Sequence, residues 1–366
     1  MLLRLINFGH ILKNSTFNNI KIVYGIDSIN IIDRCINNRK ALLITSPGFV
    51  ERGLIDKIKA MTNTIVFVVS DVRPHPQFRD LESLYNKISG VYFEVILAIG
   101  GGSVIDSAKF LSVTGNSRTY DFVEKITKEK LPKKSYSLTP IISVPTTAGT
   151  GSEVTPYATV WDQEESKKYS LHLPDLFCEF AIYDPALTLS VPMDVTIQTG
   201  LDSLSHALES IWNKNANDVT IGYAIKSARL IIKNLVELTN NLNHIARRSD
   251  MMLASMYAGM AISKTQTAIA HAASYYITLS KGVPHGIACS FTLPMLIDNI
   301  IGKYDFIDDA LIEIFGELSS DRLRGVLHKL NVSTEFEYYG IGDSELKKLR
   351  ASLSSNQRAK NSLVSF

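Results

Sequence analysis

The chain has 366 residues, 45% hydrophobic and 20% charged, a composition that excludes a disordered or fibrous protein. Its 38 Lys and Arg against 36 Asp and Glu leave a net charge of +2, which excludes broad nucleic-acid binding but not a local pocket for a small anion. At about 100–200 residues per domain, the length predicts two domains or three. Residues 1–14 (MLLRLINFGHILKN) lack a continuous apolar core and a small-residue cleavage site, so no secretory signal is read there. No uncharged apolar run reaches the roughly 18–20 residues of a membrane span. Cys35, Cys178 and Cys289 are scattered, with no Cys-x-x-Cys pair. They predict no disulfide framework, no thiolate zinc site and a reducing cytosol.

In chain order, short apolar runs come first. Residues 41–45 (ALLIT), 64–70 (TIVFVVS), 93–99 (FEVILAI) and 140–144 (PIISV) are buried-strand patterns separated by helical stretches. They predict an α/β half with a largely parallel sheet. From about residue 195 the chain reads as helices, notably 225–238 and 250–262, with no strand run. The boundary is expected near 188–193 (TLSVPM), giving an α/β domain over 1–190 and a helical domain over 191–366. The polar tail SSNQRAKNSLVSF is expected to be partly disordered.

Gly100, Gly101, Gly102 and Ser103 follow the FEVILAI strand and open a helix. Glycines let backbone approach a phosphate, and the free N–H groups of a helix start face it. The pattern is not G-x-G-x-x-G, because Ile105 replaces the third glycine. The stretch from Pro145 to Glu153 adds small hydroxyls and two glycines at another strand end, where open α/β sheets bind ligands. Further on, Asp202 and His206 share one helix face at i,i+4. His271 lies in a helical pattern and His285 between Pro284 and Gly286. One carboxylate and three imidazoles suit Fe(II) or Zn(II), although spacing alone does not bring His271 and His285 to the pair.

The strings GGGSVIDSAK, PTTAGTGSEVTP, GLDSLSHALES and PHG, in this order over essentially the whole chain, resemble the iron-containing (group III) alcohol dehydrogenases. The resemblance implies a Rossmann-like α/β domain followed by an all-α domain, with the active site between them, the dehydroquinate synthase-like fold. It implies a divalent metal, Fe2+ foremost and Zn2+ as an alternative, on Asp202, His206, His271 and His285. It places Gly101, Gly102, Ser103 and Asp106 at the cofactor pyrophosphate, Thr146, Thr147 and Thr150 along the cofactor channel, and Lys168 at the nicotinamide ribose. Ser46 stands where many NAD-using members carry Asp, so NADP(H) is permitted beside NAD(H). The implied reaction is direct hydride transfer, with the metal as Lewis acid. None of the three cysteines is expected at the metal, and a homo-oligomer such as a dimer is expected.

Two departures bear on substrate. Tyr275 stands where many relatives have a further histidine, and the proton is expected to reach the product oxygen through water, a ribose hydroxyl or Tyr275. Ser263, Lys264, Thr265, Gln266 and Thr267 replace a usually apolar stretch before His271, and a cation among hydroxyls suits an oxyanion. SHALESIWNKNAN, KTQTAIAHAASYYIT and GVPHGIA resemble one branch, the hydroxyethylphosphonate dehydrogenases or phosphonoacetaldehyde reductases. That resemblance implies a small phosphonate aldehyde held by Lys264, with Thr265, Thr267 and His75 assisting. The charge balance and hydropathy predict no nucleic-acid or membrane partner. The rival readings are a general short-chain alcohol or diol dehydrogenase, a dehydroquinate-synthase-like lyase and a catalytically silent relative.

Overall fold

The structure, a computed structural model, describes residues 18–114, 119–129, 136–162 and 167–366. The N-terminal stretch read above for a signal lies outside the described residues. The chain divides into two compact units. The first holds the chain up to Thr147 together with Ser152–Thr188, and the second holds Ala148–Gly151 with Leu189–Phe366.

The strands of the first unit are β1 (Lys21–Tyr24), β2 (Ala41–Ile44), β3 (Ile65–Val69), β4 (Val95–Gly100), β5 (Val113–Thr114), β6 (Ser137–Leu138), β7 (Ile141–Pro145), β8 (Tyr157–Asp162), β9 (Lys167–His172) and β10 (Phe180–Tyr183). Its helices are α1 (Ile32–Ile36), α2 (Pro47–Glu51), α3 (Leu54–Met61), α4 (Phe78–Lys87), α5 (Gly102–Ser112) and α6 (Tyr120–Glu129). Six strands form one parallel sheet in the order β1-β10-β7-β4-β2-β3. Every residue of β2, β4 and β7 is buried, as a sheet covered on both faces requires. All four predicted runs are strands. β1 and β10 were not read from sequence: each is four residues long, and they pair with each other at one side of the sheet. The β8–β9 hairpin also escaped, because its half-exposed residues carry no continuous apolar run.

The order of connections places the ligand end. From β2 the chain steps outward to β3 and then returns to β4 on the other side of β2. Such a reversal leaves a crevice beyond the carboxyl ends of the two strands. Ser46 follows β2, Gly101 follows β4, and Thr146 follows β7, the next strand over.

The second unit is helical: α7 (Met193–Ile211), α8 (Asp218–Asn240), α9 (Ile245–Thr265), α10 (Ile269–Lys281), α11 (His285–Ser290), α12 (Leu293–Ile300), α13 (Asp305–Phe315), α14 (Asp321–Lys329) and α15 (Asp343–Ser355). The segments expected at 225–238 and 250–262 lie inside α8 and α9. Asn217 caps α8, accepting from the N–H groups of Val219 and Thr220. Leu204 and Leu208 from α7, Trp212 just after it, Ile231 and Leu235 from α8, and Ala254 and Ala258 from α9 build one core. The alanines let α9 approach closely.

The tail expected to be partly disordered is instead built into this unit. Leu363 N–H donates to the Trp212 carbonyl at 2.9 Å, Ser362 bridges to Asn213, and Val364 is buried. Composition misleads here because main-chain pairing and two apolar residues anchor the segment. No helix of the described residues is long and apolar enough to cross a membrane.

Candidate metal centre and cofactor turn

In the first unit, α5 begins at the glycine turn with no side-chain cap and no acidic residue in its first turn. An uncapped helix start at a sheet switch point is an anion site by its N–H groups and dipole. Thr146 N–H donates to the Gly100 carbonyl at 3.0 Å, fixing the β7 loop beside the turn. A side chain at Gly101 would meet Thr147 Oγ1 at 3.2 Å, so glycine keeps that approach open. Ser46, Gly101, Gly102, Ser103, Thr146 and Thr147 are thus gathered at three adjacent strand ends. Thr150 is exposed and belongs to the segment Ala148–Gly151 of the second unit.

Asp106 has both carboxylate oxygens engaged, one by Ser152 Oγ at 2.5 Å and one by Thr159 N–H at 2.9 Å. Burial pushes its carboxyl up, against the opposing pull of Lys109. Lys109 is fully buried and donates to the carbonyls of Ser152, Thr155 and Tyr157 at 2.5, 2.7 and 2.7 Å. Asp106 and Lys109, each through its own bonds, therefore tie the stretch from Ser152 to Thr159 to α5. Asp106, expected at the cofactor pyrophosphate, lies in the second turn of α5 and supports the cofactor turn through these bonds.

Beside the turn, Lys168 Nζ lies over the Trp161 ring at 5.2 Å, and the His75 ring meets Trp161 edge-on at 5.6 Å. His75 N–H donates to Ser103 Oγ at 3.2 Å, with a left-handed φ of 53°. His75, expected with the substrate residues, is therefore an exposed neighbour of the cofactor turn in the first unit. Trp161 was missed, because a single tryptophan in a weakly patterned strand carries no functional signal.

In the second unit, α7, α10 and α11 bring Asp202, His206, His271 and His285 together. The Nε2 atoms of His271, His285 and His206 lie 3.3, 3.7 and 3.8 Å from Asp202 Oδ1. Two zinc bonds of about 2.0–2.1 Å at a tetrahedral angle put their donors roughly 3.3–3.4 Å apart. Asp202 Oδ1 and His271 Nε2 are buried, and no hydrogen bond satisfies either atom. Such orphaned atoms call for a cation between them. Burial pushes the Asp202 carboxyl up, but the imidazoles of His206, His285 and His271 outweigh it and hold it well below the usual carboxylate range.

Two further groups orient the imidazoles. Glu209, fully buried, accepts from the N–H groups of Ala270 and His271 at 2.6 and 3.3 Å, and its other oxygen pairs with His271 Nδ1. Ser274 Oγ donates to the His271 carbonyl at 2.8 Å, so it accepts from His285 Nδ1–H at 3.2 Å. In both rings Nδ1 carries the proton and Nε2 presents its lone pair to the site. Sequence reasoning missed Glu209, although it shares the α7 face with Asp202 and His206 at i+3 from the histidine. The His285 side chain is 18% exposed, so the otherwise buried set opens on one side, as a catalytic metal site requires. Tyr275 stacks on His285, with centroids 6.2 Å apart and planes 14° from parallel. Cys289 Sγ lies beside the His285 ring, 3.7 Å from Nε2 and 3.8 Å from Nδ1.

The expected oxyanion residues divide. Lys264 is exposed in the last turn of α9. The Thr265 side chain is fully buried, donating to the Gln266 carbonyl at 2.9 Å and meeting Ser210 Oγ at 3.1 Å. Thr267 Oγ1 accepts from Arg358 at 2.8 Å. Both threonine hydroxyls, expected at the substrate, bond within the fold around the α9–α10 junction.

A parallel α/β sheet with an anion turn at its switch point, and a buried carboxylate–imidazole set in a helical unit, define a metal-dependent, nicotinamide-linked oxidoreductase. The iron-containing alcohol dehydrogenase family matches residues 19–185, and the C-terminal part of the Fe-containing alcohol dehydrogenase family matches residues 196–362. The chain belongs to the iron-containing alcohol dehydrogenase family. It is 30% identical over 329 residues to 1,3-propanediol dehydrogenase of Citrobacter freundii, covering 85% of this chain and 80% of that protein. It is 31% identical over 283 residues to the aldehyde-alcohol dehydrogenase of Streptococcus pneumoniae; the match covers 74% of this chain but spans only about a third, 32%, of that longer relative. The crystal structure of sulfoacetaldehyde reductase from Bifidobacterium kashiwanohense in complex with NAD+ has a TM-score of 0.87 at 25% identity, covering 94% of this chain and 93% of that one.

Proposed function

We propose that the chain reduces phosphonoacetaldehyde to 2-hydroxyethylphosphonate with NADH or NADPH, a step of phosphonate biosynthesis, as a cytosolic homo-oligomer. The observation that carries the aldehyde–alcohol chemistry is the set of three Nε2 atoms converging on Asp202 Oδ1. The acidic substrate is supported by Lys264 among polar neighbours before His271. It is also supported by a structural relative that is a sulfoacetaldehyde reductase, since sulfoacetaldehyde is also a two-carbon aldehyde ending in a tetrahedral oxyanion.

When bound, the divalent metal and the nicotinamide supply Lewis acidity and the hydride. The chain's own residues do the rest. Glu209 and Ser274 hold His271 and His285 in the tautomer that presents Nε2. The N–H groups at the start of α5 hold the cofactor phosphates, and Lys168 steadies the nicotinamide ribose. Ser46, without a carboxylate, tolerates a ribose 2′-phosphate. Tyr275, half-buried against His285, delivers the proton to the product oxygen through its hydroxyl. Lys264 pairs with the phosphonate.

The test is an aldehyde panel with both nucleotides and metal-defined enzyme. Phosphonoacetaldehyde should show the highest kcat/KM, ahead of sulfoacetaldehyde and neutral aldehydes. Lys264→Ala should raise KM for phosphonoacetaldehyde about 10- to 100-fold, the worth of a charge-assisted hydrogen bond. Equal losses on a neutral aldehyde would remove Lys264 from this role. The second reading, a short-chain diol dehydrogenase, is favoured by the 1,3-propanediol dehydrogenase relative and predicts faster turnover of 3-hydroxypropionaldehyde.

A further inference from the structure

Beside the cofactor turn, the first unit carries two cations that the turn itself does not use. The loop from β3 to α4, with α4 and α5, bounds a pocket of about 280 Å³ lined by Asp71, Arg73, Arg79, Asp80 and Ser107. Arg73 and Arg79 are exposed, and among the described residues neither guanidinium has a hydrogen bond or an ion pair. The two acids are already engaged. Asp71 pairs with Lys87, and Asp80 accepts from the Gln77 N–H at 2.8 Å in the capping box of α4. Arg73, Arg79 and Lys87 thus outnumber Asp71 and Asp80, and the pocket is net positive. Ser107 lies one helical turn after Ser103 on the same side of α5. It is fully buried, and its hydroxyl has no hydrogen bond. A buried hydroxyl in that state calls for a partner.

The place of this pocket in the sheet indicates which anion it takes. Val72 N–H donates to the Thr45 carbonyl at 3.4 Å, so Arg73 and Ser46 each follow a residue of one bonded pair at neighbouring strand ends. In dinucleotide-binding α/β folds an acidic side chain near the adenosine ribose suits NAD, and an arginine there accommodates the 2′-phosphate of NADP. Ser46 lacks the acid, and Arg73 supplies the cation. We propose that Arg73 and Arg79, with the Ser107 hydroxyl, form a subsite for the 2′-phosphate of NADPH and make NADPH the preferred nucleotide of this chain. A phosphate monoester carries close to two negative charges at neutral pH, and a guanidinium fork binds its oxygens in pairs. NADH ends there in a hydroxyl and gains little from either guanidinium. The inference narrows the NADH-or-NADPH use proposed above and rests on it, but not on the identity of the aldehyde.

Nucleotide titrations of the full chain by calorimetry, with no aldehyde and no turnover, test it. Adenosine 2′,5′-bisphosphate should bind the wild-type chain about 10-fold or more tighter than 5′-AMP, which differs only by the 2′-phosphate. Arg73→Ala should weaken the bisphosphate and NADPH about 10- to 100-fold, the worth of a lost charge-assisted hydrogen bond, and move 5′-AMP and NADH far less. Arg79→Ala should weaken the same two ligands. Equal affinity of the wild-type chain for the bisphosphate and 5′-AMP would overturn the assignment without recourse to a variant. So would an equal loss of NADH and NADPH in Arg73→Ala, or a bisphosphate preference that survives removal of both arginines. Inorganic phosphate that binds through the arginines without competing with NADPH would assign them to a free anion and overturn the proposal as well. Failure of the phosphonoacetaldehyde assay would leave these titrations unchanged, so the two readings fail separately.

Discussion

Glu209 shows how much one residue outside the metal set decides. Its carboxylate has no exposure to water, and it accepts from two main-chain N–H groups as well as the His271 ring. It therefore fixes both the start of α10 and the tautomer of a metal ligand. Glu209→Gln should lower metal affinity about 10- to 100-fold, the usual effect of losing an orienting partner, as read by competition with a chelator. An unchanged affinity would mean that Ala270 and the helix start alone hold His271. The face shared by Asp202, His206 and Glu209 was readable on α7 from i,i+4 and i+3 spacing. The partner of Glu209 was not, because His271 is 62 residues away. Thr265 and Thr267 teach the converse. Their polarity suggested a substrate site, but the structure uses both hydroxyls within the fold.

At the scale of elements, α5 and α11 each carry a site on a packing constraint. The N-terminal turn of α5 is left open for an anion while its interior holds Lys109 against three carbonyls. Lys109→Ala should destabilise the first unit by about 3 kcal/mol or more, since it leaves the carbonyls of Ser152, Thr155 and Tyr157 without their donor. A denaturant midpoint close to wild type would contradict that. In the second unit, α11 meets α7 so closely that a side chain at Gly286 would overlap the Gln198 carbonyl oxygen. Gly286→Ala should push α11 and its His285 away from Asp202, weakening metal binding and lowering the melting temperature together. A folded variant with full metal content would show that α11 can shift without moving His285. Gly151 is constrained twice, by a φ of +60° and by Gly259, whose Cα lies 2.5 Å from where a Cβ would sit.

At the scale of the molecule, linkage gives two expectations. Metal binds the folded second unit, so free metal at about 100 times its dissociation constant should add roughly 2.7 kcal/mol, lost on chelation. Calorimetry with and without chelator measures this, and a transition indifferent to metal would argue against a preformed site. At alkaline pH, burial pushes the Cys35 thiol up from 9.0 to about 12 and the Tyr339 hydroxyl up from 10.0 to about 12. Each group binds its proton more tightly when folded. Their stability contribution is therefore complete below pH 9 and is lost as pH rises toward 12. The melting temperature should fall above pH 9, and Cys35 should resist alkylation at pH 8 in the folded chain.

The sequence by itself determined the parallel-sheet half, the helical half, the glycine turn and the residues able to bind a divalent metal. These rest on local signals: apolar runs, helical period and residue chemistry at fixed spacing. Tertiary structure decided which distant groups meet. It brought His271 and His285 to Asp202, set Glu209 and Ser274 behind them, placed Cys289 against the set and drew the polar tail into the helical unit. Those outcomes depend on contacts between segments tens of residues apart, and a one-dimensional pattern carries no distance between such segments.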